Sequence, residues 1–129
     1  MTIKSVEQLV AIANKQIVTL SAQQALKKQK LDEAVLVDIR DIRELNKSGK
    51  VKGAEHAPRG MLEFWFDPSC EYHRPCFSNK DKTYILYCAL GWRSALAAKS
   101  LQDMGFENIA HVQGGFAGLV EANANIFTK

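Results

Sequence analysis

The sequence predicts an α/β fold in which a central parallel β-sheet is flanked by helices on both faces. Val35–Val37 is an uninterrupted apolar run, typical of a strand that is buried on both faces. Thr83–Tyr87 is a second run of strand-forming residues, and segments with helical spacing alternate with such runs. The 129 residues contain no repeat and no low-complexity linker. We therefore expect a single domain over residues 1–129, with its core at about 17–120 after a helix over 5–15.

The elements of the first half follow from apolar spacing and from residues that start or stop helices. Ser5 and Ser21 each precede a helical pattern and are typical N-caps. Gly49 is a typical helix end, and Pro68 closes an apolar segment. The predicted elements are helices over 5–15, 22–30 and 41–46, strands over 17–20 and 35–37, a short strand within 53–58, and one or two helical turns over 61–66. Residues 69–82 are expected to form an unusually long loop.

In the second half, a predicted strand over 83–87 leads directly to Cys88. Residues 89–92 form a tight connection to a helix over 93–104, which places Ala97, Leu101 and Met104 on one face. A strand over 109–112 and a helix over 116–122 follow. Cys88 thus stands beyond the carboxyl end of a strand, where open α/β sheets place their active sites.

Composition and charge exclude several classes of function. The net charge is +3, and basic residues are interspersed with acidic ones, so nucleic acid is not an expected partner. No window of ~18 uncharged apolar residues occurs, so no membrane association is expected. The N-terminus lacks a signal-peptide pattern, and three cysteines are too few for a disulfide framework. These features predict a cytoplasmic protein.

The segment that follows Cys88 suits the activation of a thiol. A thiol with an ordinary pKa of about 8.5 is only a few per cent thiolate at pH 7. A helix N-terminus contributes roughly 0.3–1 kcal/mol to an anion, whereas each N–H bonded to a charged sulfur contributes about 1.5–3 kcal/mol. Gly91 permits a turn that points amides inward, Arg93 adds a positive charge, and Ser94 offers a hydroxyl. We expect Cys88 to be a nucleophile that needs no histidine base; the alternative is a small buried core residue.

Several segments together resemble the rhodanese-like sulfurtransferase domains. They are Val37–Arg40 with Glu44 downstream, Gly53–Pro58, Tyr87–Ser94, Gly105–Ile109 and Val112–Phe116. The similarity extends from about residue 17 to residue 120, nearly the whole chain, and its order and spacing are far more specific than a lone cysteine.

The resemblance implies that Cys88 takes a sulfane sulfur from a small sulfur-bearing donor or anion such as thiosulfate. The resulting persulfide passes its sulfur to a thiophilic acceptor: cyanide in an assay, or a protein or low-molecular-weight thiol. No metal or organic cofactor is implied. Cys88 is then the catalytic residue. The substrate-binding loop is Ala89, Leu90, Gly91, Trp92, Arg93 and Ser94, and Asp38 and Arg40 match a family pair that mainly braces the architecture near the site. Arg59 is a further supporting candidate that the family pattern does not supply.

This chain departs from the family pattern at the rim of the loop. Many members that use thiosulfate place a cation directly after the cysteine, where this chain has Ala89. Arg59 follows Pro58 where glycine is common, and we expect it to replace part of the missing positive charge. Trp92 is bulkier than usual and is the expected specificity element.

Two alternative functions stay open at this point. The first is a non-catalytic binding or regulatory module that uses the fold as a docking surface. The second is a cysteine phosphatase or arsenate reductase. Those enzymes have five residues between cysteine and arginine, whereas four separate Cys88 from Arg93, which favours a sulfur atom over a tetrahedral phosphate.

Cysteine, histidine and aromatic residues outside the loop have simpler interpretations. Cys70, His73 and Cys76 are at an unfamiliar spacing for a metal, so a metal site, a disulfide, a resolving thiol and two ordinary cysteines are all open. His56 and His111 are expected to be structural. The aromatic run Phe64–Phe66 is expected to lie in the core.

Overall fold

Strands and helices alternate along the chain, as the computed structural model shows for residues 2–128. Residues 1 and 129, the two ends of the predicted domain, lie outside the described residues. The strands are β1 (Val18–Leu20), β2 (Ala34–Asp38), β3 (Lys50–Val51), β4 (Glu55–His56), β5 (Thr83–Tyr87), β6 (Ile109–Val112) and β7 (Ile126–Phe127). The helices are α1 (Val6–Gln16), α2 (Ala22–Lys30), α3 (Ile42–Ser48), α4 (Leu62–Phe66), α5 (Trp92–Asp103) and α6 (Gly115–Glu121).

Five strands form the central sheet, in the order β1-β6-β5-β2-β4, and every neighbouring pair is parallel. The central strands β2 and β5 pair along their full lengths, with Asp38 opposite Tyr87. The carboxyl ends of β2 and β5 therefore meet, and Cys88 follows immediately. Parallel strands of this kind need both faces covered, which explains their apolar sequences.

The two faces of the sheet pack into separate parts of the core. Val37 and Leu86 lie on one face against α4 and α5, and Leu36 and Ile85 lie on the other face against α2 and α6. Helix α1 packs on α5 through a small contact of Val10, Ala13 and Ala95. The predicted α/β class, with a parallel sheet covered by helices on both faces, is confirmed.

Three helices begin with the same local device. Ser5, Ser21 and Asp41 are N-caps whose side chains accept a backbone N–H of the first turn, and the third helical residue returns the bond in each case. Such reciprocal capping satisfies two donors that a helix start leaves open. Helix α3 runs from Ile42 to Ser48 and is closed by its C-cap Gly49, whose φ of 87° favours glycine.

Several elements differ from the sequence-based expectation. Met104 does not face the core: it lies beyond the end of α5 and is 44% exposed. Of the aromatic run only Phe66 is fully buried, and Phe64 is half exposed, because one short helix presents only part of its surface to the core. A 3₁₀ turn at Arg59–Met61 precedes α4, another at Pro75–Phe77 interrupts the long loop, and β3 and β7 form an unexpected antiparallel pair.

Candidate active site

The sulfur of Cys88 lies at the bottom of the loop that joins β5 to α5. Two backbone amides donate to it: the Gly91 N–H at 3.1 Å and the Ser94 N–H at 3.4 Å. The Ser94 hydroxyl oxygen is 3.6 Å from the sulfur. Inward-pointing donors of this kind stabilise an anionic sulfur.

The sulfur also completes the start of α5. Gly91 is the N-cap of this helix, has a φ of 120° and offers no side chain to bond the open amides. The Ser94 N–H, on the third helical residue, finds its acceptor in the Cys88 sulfur instead. The sulfur therefore accepts an N–H that a helix start leaves open, and this bond is stronger when the sulfur is negatively charged.

The first turn of α6 holds the backbone of this loop in place. The Phe116 N–H donates to the Cys88 carbonyl at 2.7 Å, and the Ala117 N–H donates to the Ala89 carbonyl at 3.3 Å. A Cβ on Gly115 would lie 2.5 Å from the Cys88 carbonyl oxygen, so only glycine permits this approach. The Gly114-Gly115 pair thus positions the loop that follows Cys88.

Access to the sulfur is narrow. Cys88 is 2% exposed, and it lines neither of two surface clefts of about 270 Å³ and 530 Å³. Leu90 and Trp92, by contrast, are 74% and 51% exposed on the same loop. The loop therefore presents apolar side chains outward and its polar backbone inward.

Arg93 is already engaged at the rim of the loop. Its guanidinium donates to both carboxylate oxygens of Glu44, at 2.8 and 3.0 Å. The hydrogen bonds from Arg93 lower the pKa of Glu44, and Glu44 in turn raises the pKa of Arg93. The positive charge expected from the sequence is therefore largely matched by a carboxylate.

Asp38 and Arg40 form a buried ion pair beside the loop. Their side chains are 1% and 2% exposed, and the Arg40 guanidinium donates to Asp38 from both Nε and Nη2. It also donates to the Gly49 carbonyl at 2.8 Å and lies 4.0 Å from the centre of the Phe116 ring. The pair connects the end of β2 with α3 and α6.

Arg59 is placed differently from the expectation. Its guanidinium pairs with Glu63 one turn further on, and the Ser100 hydroxyl donates to the same carboxylate. No hydrogen bond or ion pair among the described residues joins Arg59 to the loop after Cys88. Arg59 was expected to supply part of the positive charge that Ala89 lacks, but its observed contacts are with Glu63 and not with that loop.

A histidine that sequence analysis assigned to structure reaches the site through Ser94. The His111 Nδ1 lies 2.9 Å from the Ser94 hydroxyl, and its Nε2 lies 3.1 Å from the hydroxyl of Thr19 on the neighbouring strand. The register of β1 and β6 places Thr19 opposite His111. A polar residue inside the buried strand 109–112 was the available signal, but its partners lie 17 and 92 residues away.

Lowering the pH from 7 to 5 is expected to reduce the free energy of unfolding by about 2 kcal/mol through His111. Burial lowers the pKa of His111 from 6.5 to about 4 in the folded protein. Between these values the unfolded chain binds a proton that the folded chain does not, so stability falls as the pH drops below 6.5. Urea unfolding at pH 7, 6 and 5 measures the slope, which His111→Asn should flatten. An unchanged slope in that variant would contradict the assignment.

The residues of the long loop do not join the site. Cys70 and Cys76 are free thiols, and burial, followed by the charge of Glu55, raises the pKa of Cys76. Both ring nitrogens of His73 are used, by the Trp65 carbonyl and the Ser78 hydroxyl. Within residues 2–128 no three His, Cys, Asp or Glu side chains come together as a metal site, and no helix is long and apolar enough to cross a membrane.

Comparison with known proteins gives a consistent set of similarities. The family model of the rhodanese-like domain matches residues 21–122. The thiosulfate sulfurtransferase GlpE of Glaesserella parasuis is 33% identical over 107 residues, which cover 83% of this chain and 90% of that protein.

Two solved structures are similar over most of the chain. A Rhodopseudomonas palustris protein of unknown function, described as a possible tyrosine phosphatase, is 43% identical with a TM-score of 0.90 and 98% coverage of both chains. The polysulfide-sulfur transferase homodimer of Wolinella succinogenes is 29% identical with a TM-score of 0.71, covering 94% of this chain and 85% of that one.

Proposed function

The chain belongs to the rhodanese-like domain family, and from this we propose that it is a sulfurtransferase that carries a sulfane sulfur on Cys88. The observation that carries the proposal is the pair of backbone N–H groups, of Gly91 and Ser94, that donate to one sulfur, with the Ser94 hydroxyl oxygen 3.6 Å away. Their combined effect favours a thiolate at a strand end where such folds place reactive groups. The similarity to the sulfurtransferases of Glaesserella parasuis and Wolinella succinogenes supports the same chemistry.

The transfer proceeds in two displacements. The Cys88 thiolate attacks the outer sulfur of a donor such as thiosulfate, and the donor's sulfur–sulfur bond breaks with its electron pair leaving on sulfite. The new persulfide then meets an acceptor thiolate, or cyanide in an assay, which attacks the outer sulfur. The electron pair of that second bond returns to Cys88, so no net oxidation of the protein occurs. The inward-pointing amides stabilise the anionic sulfur before and after each step.

The shape of the loop favours a slender, terminal sulfur as the reacting atom. Because Cys88 is 2% exposed, a bulky reacting centre would have to displace the loop. The exposed Leu90 and Trp92 offer an apolar rim, and Glu44 offsets the charge of Arg93. We therefore expect polysulfides and organic persulfides to rival thiosulfate as donors.

The test is mass spectrometry of the protein after incubation with thiosulfate, polysulfide or a low-molecular-weight persulfide. The expected result is a gain of one sulfur mass on the Cys88 peptide, which cyanide or a thiol then removes. Cys70 and Cys76 provide internal controls in the same digest, since both are free thiols outside the loop after Cys88 and the Cys70 sulfur accepts a backbone N–H from Tyr72 at 3.4 Å. If no donor gives the adduct on Cys88, the sulfur-carrier function is wrong.

Arg93→Ala is expected to impair the use of an anionic donor more than it impairs folding. The Arg93–Glu44 pair is partly exposed, with side chains 43% and 34% accessible, so its loss costs at most about 1 kcal/mol of stability. Removal of a charged donor from the rim should raise the KM for thiosulfate by roughly tenfold. Steady-state kinetics and the melting temperature measure the two effects.

Glu44→Gln is the matched variant for this prediction. It leaves Arg93 in place but removes the carboxylate that offsets its charge, so the KM for thiosulfate should fall instead of rising. If Arg93→Ala loses much of its melting temperature, and unfolding of the variant accounts for its loss of activity, Arg93 has a structural role only.

Phosphatase activity is the second candidate, because the 43%-identical neighbour is described as a possible tyrosine phosphatase. Two features count against it here. Four residues separate Cys88 from Arg93, one fewer than in the cysteine phosphatases, and the guanidinium that would hold a phosphate is paired with Glu44. Hydrolysis of an aryl phosphate that depends on Cys88, without any persulfide adduct, would favour the phosphatase instead.

A further inference from the structure

The hydroxyl of Ser94 has three polar neighbours and only one proton to donate. Its oxygen lies 3.2 Å from the Gly91 carbonyl, 3.6 Å from the Cys88 sulfur and 2.9 Å from the Nδ1 of His111. Ser94 is fully buried, so water does not compete for these bonds. A hydroxyl has one proton to donate and two lone pairs that accept. The direction of that single proton therefore decides what the sulfur receives.

The tautomer of His111, that is, which ring nitrogen carries the proton, determines this direction. A neutral imidazole carries its proton on one nitrogen and accepts on the other. If Nδ1 were the acceptor, Ser94 would give its only proton to His111 and have none for the sulfur. If Nδ1 carries the proton, it donates to Ser94, and Nε2 accepts from the Thr19 hydroxyl at 3.1 Å. Only the second arrangement leaves the Ser94 proton free.

We propose that His111 is a positioning residue that, as its Nδ1–H tautomer held by Thr19, reserves the hydroxyl proton of Ser94 for the Cys88 sulfur. In the thiol form, the Cys88 S–H donates to the Ser94 oxygen and Ser94 donates to the Gly91 carbonyl. Once the thiol proton has left to the surrounding buffer, the Ser94 hydroxyl turns from that carbonyl to the sulfur. The thiolate then has three donors instead of two.

Charged groups near the site are paired, so they do not compete for this role. Arg93 on α5 is bound to Glu44 on α3, and the Asp38–Arg40 pair closes the end of β2. Around His111 itself, burial alone accounts for the lowered pKa. A change at His111 therefore acts on the sulfur through Ser94.

The test is the pH dependence of Cys88 alkylation by iodoacetamide, followed on the Cys88 peptide by mass spectrometry. His111→Leu removes the N–H that orients and polarises the Ser94 hydroxyl but offers no acceptor for its proton, so it should move the midpoint of the profile up by less than one pH unit, less than a tenfold change in thiolate fraction at neutral pH. His111→Asn keeps an N–H near the position of Nδ1, so its midpoint should lie close to that of the unmodified protein. An unchanged midpoint in His111→Leu would overturn the proposal.

A double-variant cycle separates positioning from a general effect of the histidine. Ser94→Ala removes the third donor itself and should shift the midpoint by a larger amount than His111→Leu, and adding His111→Leu to it should give no further shift. Additive shifts would mean that His111 acts independently of Ser94, against the proposal. Should His111→Leu fail to fold, Thr19→Val on the exposed strand β1 serves instead. It should raise the midpoint by a smaller amount, and no rise would overturn the tautomer assignment.

His73→Leu is the matched control, since it removes another histidine–serine hydrogen bond, of 2.6 Å to Ser78, whose partners all lie within residues 65–78. It should leave the alkylation midpoint of Cys88 unchanged. This inference rests on the proposed sulfur transfer only in what the Cys88 thiolate is used for; the positioning of the Ser94 hydroxyl does not depend on it. Shifted midpoints without any sulfur adduct on Cys88 would therefore retain the positioning role and remove the sulfurtransferase.

Discussion

Cys88→Ser is expected to reduce sulfur transfer to the uncatalysed background while the protein keeps its fold. A serine oxygen cannot carry a sulfane sulfur, so neither displacement takes place. The same oxygen can still accept the N–H groups of Gly91 and Ser94, which in the native protein bond to the sulfur. The cost in free energy of unfolding should therefore be about 1 kcal/mol or less, a few degrees in melting temperature.

The measurements are thiocyanate formation from a donor and cyanide, and thermal unfolding followed by circular dichroism. Cys70→Ser and Cys76→Ser are the matched controls: each removes a thiol from the long loop and should retain full transfer. Persistent transfer in Cys88→Ser would move the reaction to another residue. A collapse of its melting temperature would show that Cys88 is chiefly a core residue, as its 2% exposure alone would suggest.

The parts of the fold that sequence analysis predicted are those whose physics is local. Val35–Val37 and Thr83–Tyr87 are apolar or strand-forming on both faces because their strands occupy the middle of a covered parallel sheet. Ser5 and Ser21 start helices through bonds that span three residues. Patterns of this length are visible in a sequence without knowledge of the rest of the chain.

The features that it missed depend on contacts between distant segments. The β3–β7 pair has only two residues in each strand, too few for an alternating pattern, and its strands are separated by most of the chain. His111 was assigned to structure because nothing in its own segment indicates that Ser94 and Thr19 converge on its ring. Arg93 was expected as a free charge, since its pairing with Glu44 spans 49 residues.

In the candidate site, too, the features set by local sequence could be predicted and those set by distant contacts could not. The backbone cradle around Cys88 follows from one short loop, so the residues from Cys88 to Ser94 could be selected from the sequence. What tunes the cradle comes from elsewhere: the imidazole from β6, the carboxylate from α3 and the close backbone approach at Gly115. The activation of the sulfur should therefore depend on these distant elements as well as on the loop itself.

Arg40→Leu is expected to cause a large loss of stability, about 3–5 kcal/mol in free energy of unfolding. The substitution leaves the Asp38 carboxylate, 1% exposed, without the guanidinium that donates to it from Nε and Nη2. The Gly49 carbonyl loses its donor and the Phe116 ring loses its cation as well. An uncompensated buried charge costs more than the pair contributed, because the desolvation of Asp38 is still present and its partner is not.

The chain contains its own control in a second Arg–Asp pair with the same spacing. Asp41 and Arg43 are also two residues apart and also hydrogen-bonded, but their side chains are 47% and 88% exposed. Arg43→Leu should therefore change stability by no more than about 1 kcal/mol, since water solvates both partners. Urea denaturation of the two variants side by side measures the contrast. Similarly large losses in both would mean that burial is not what makes Arg40 necessary, and similarly small losses would mean that Asp38 finds another donor once the guanidinium is gone.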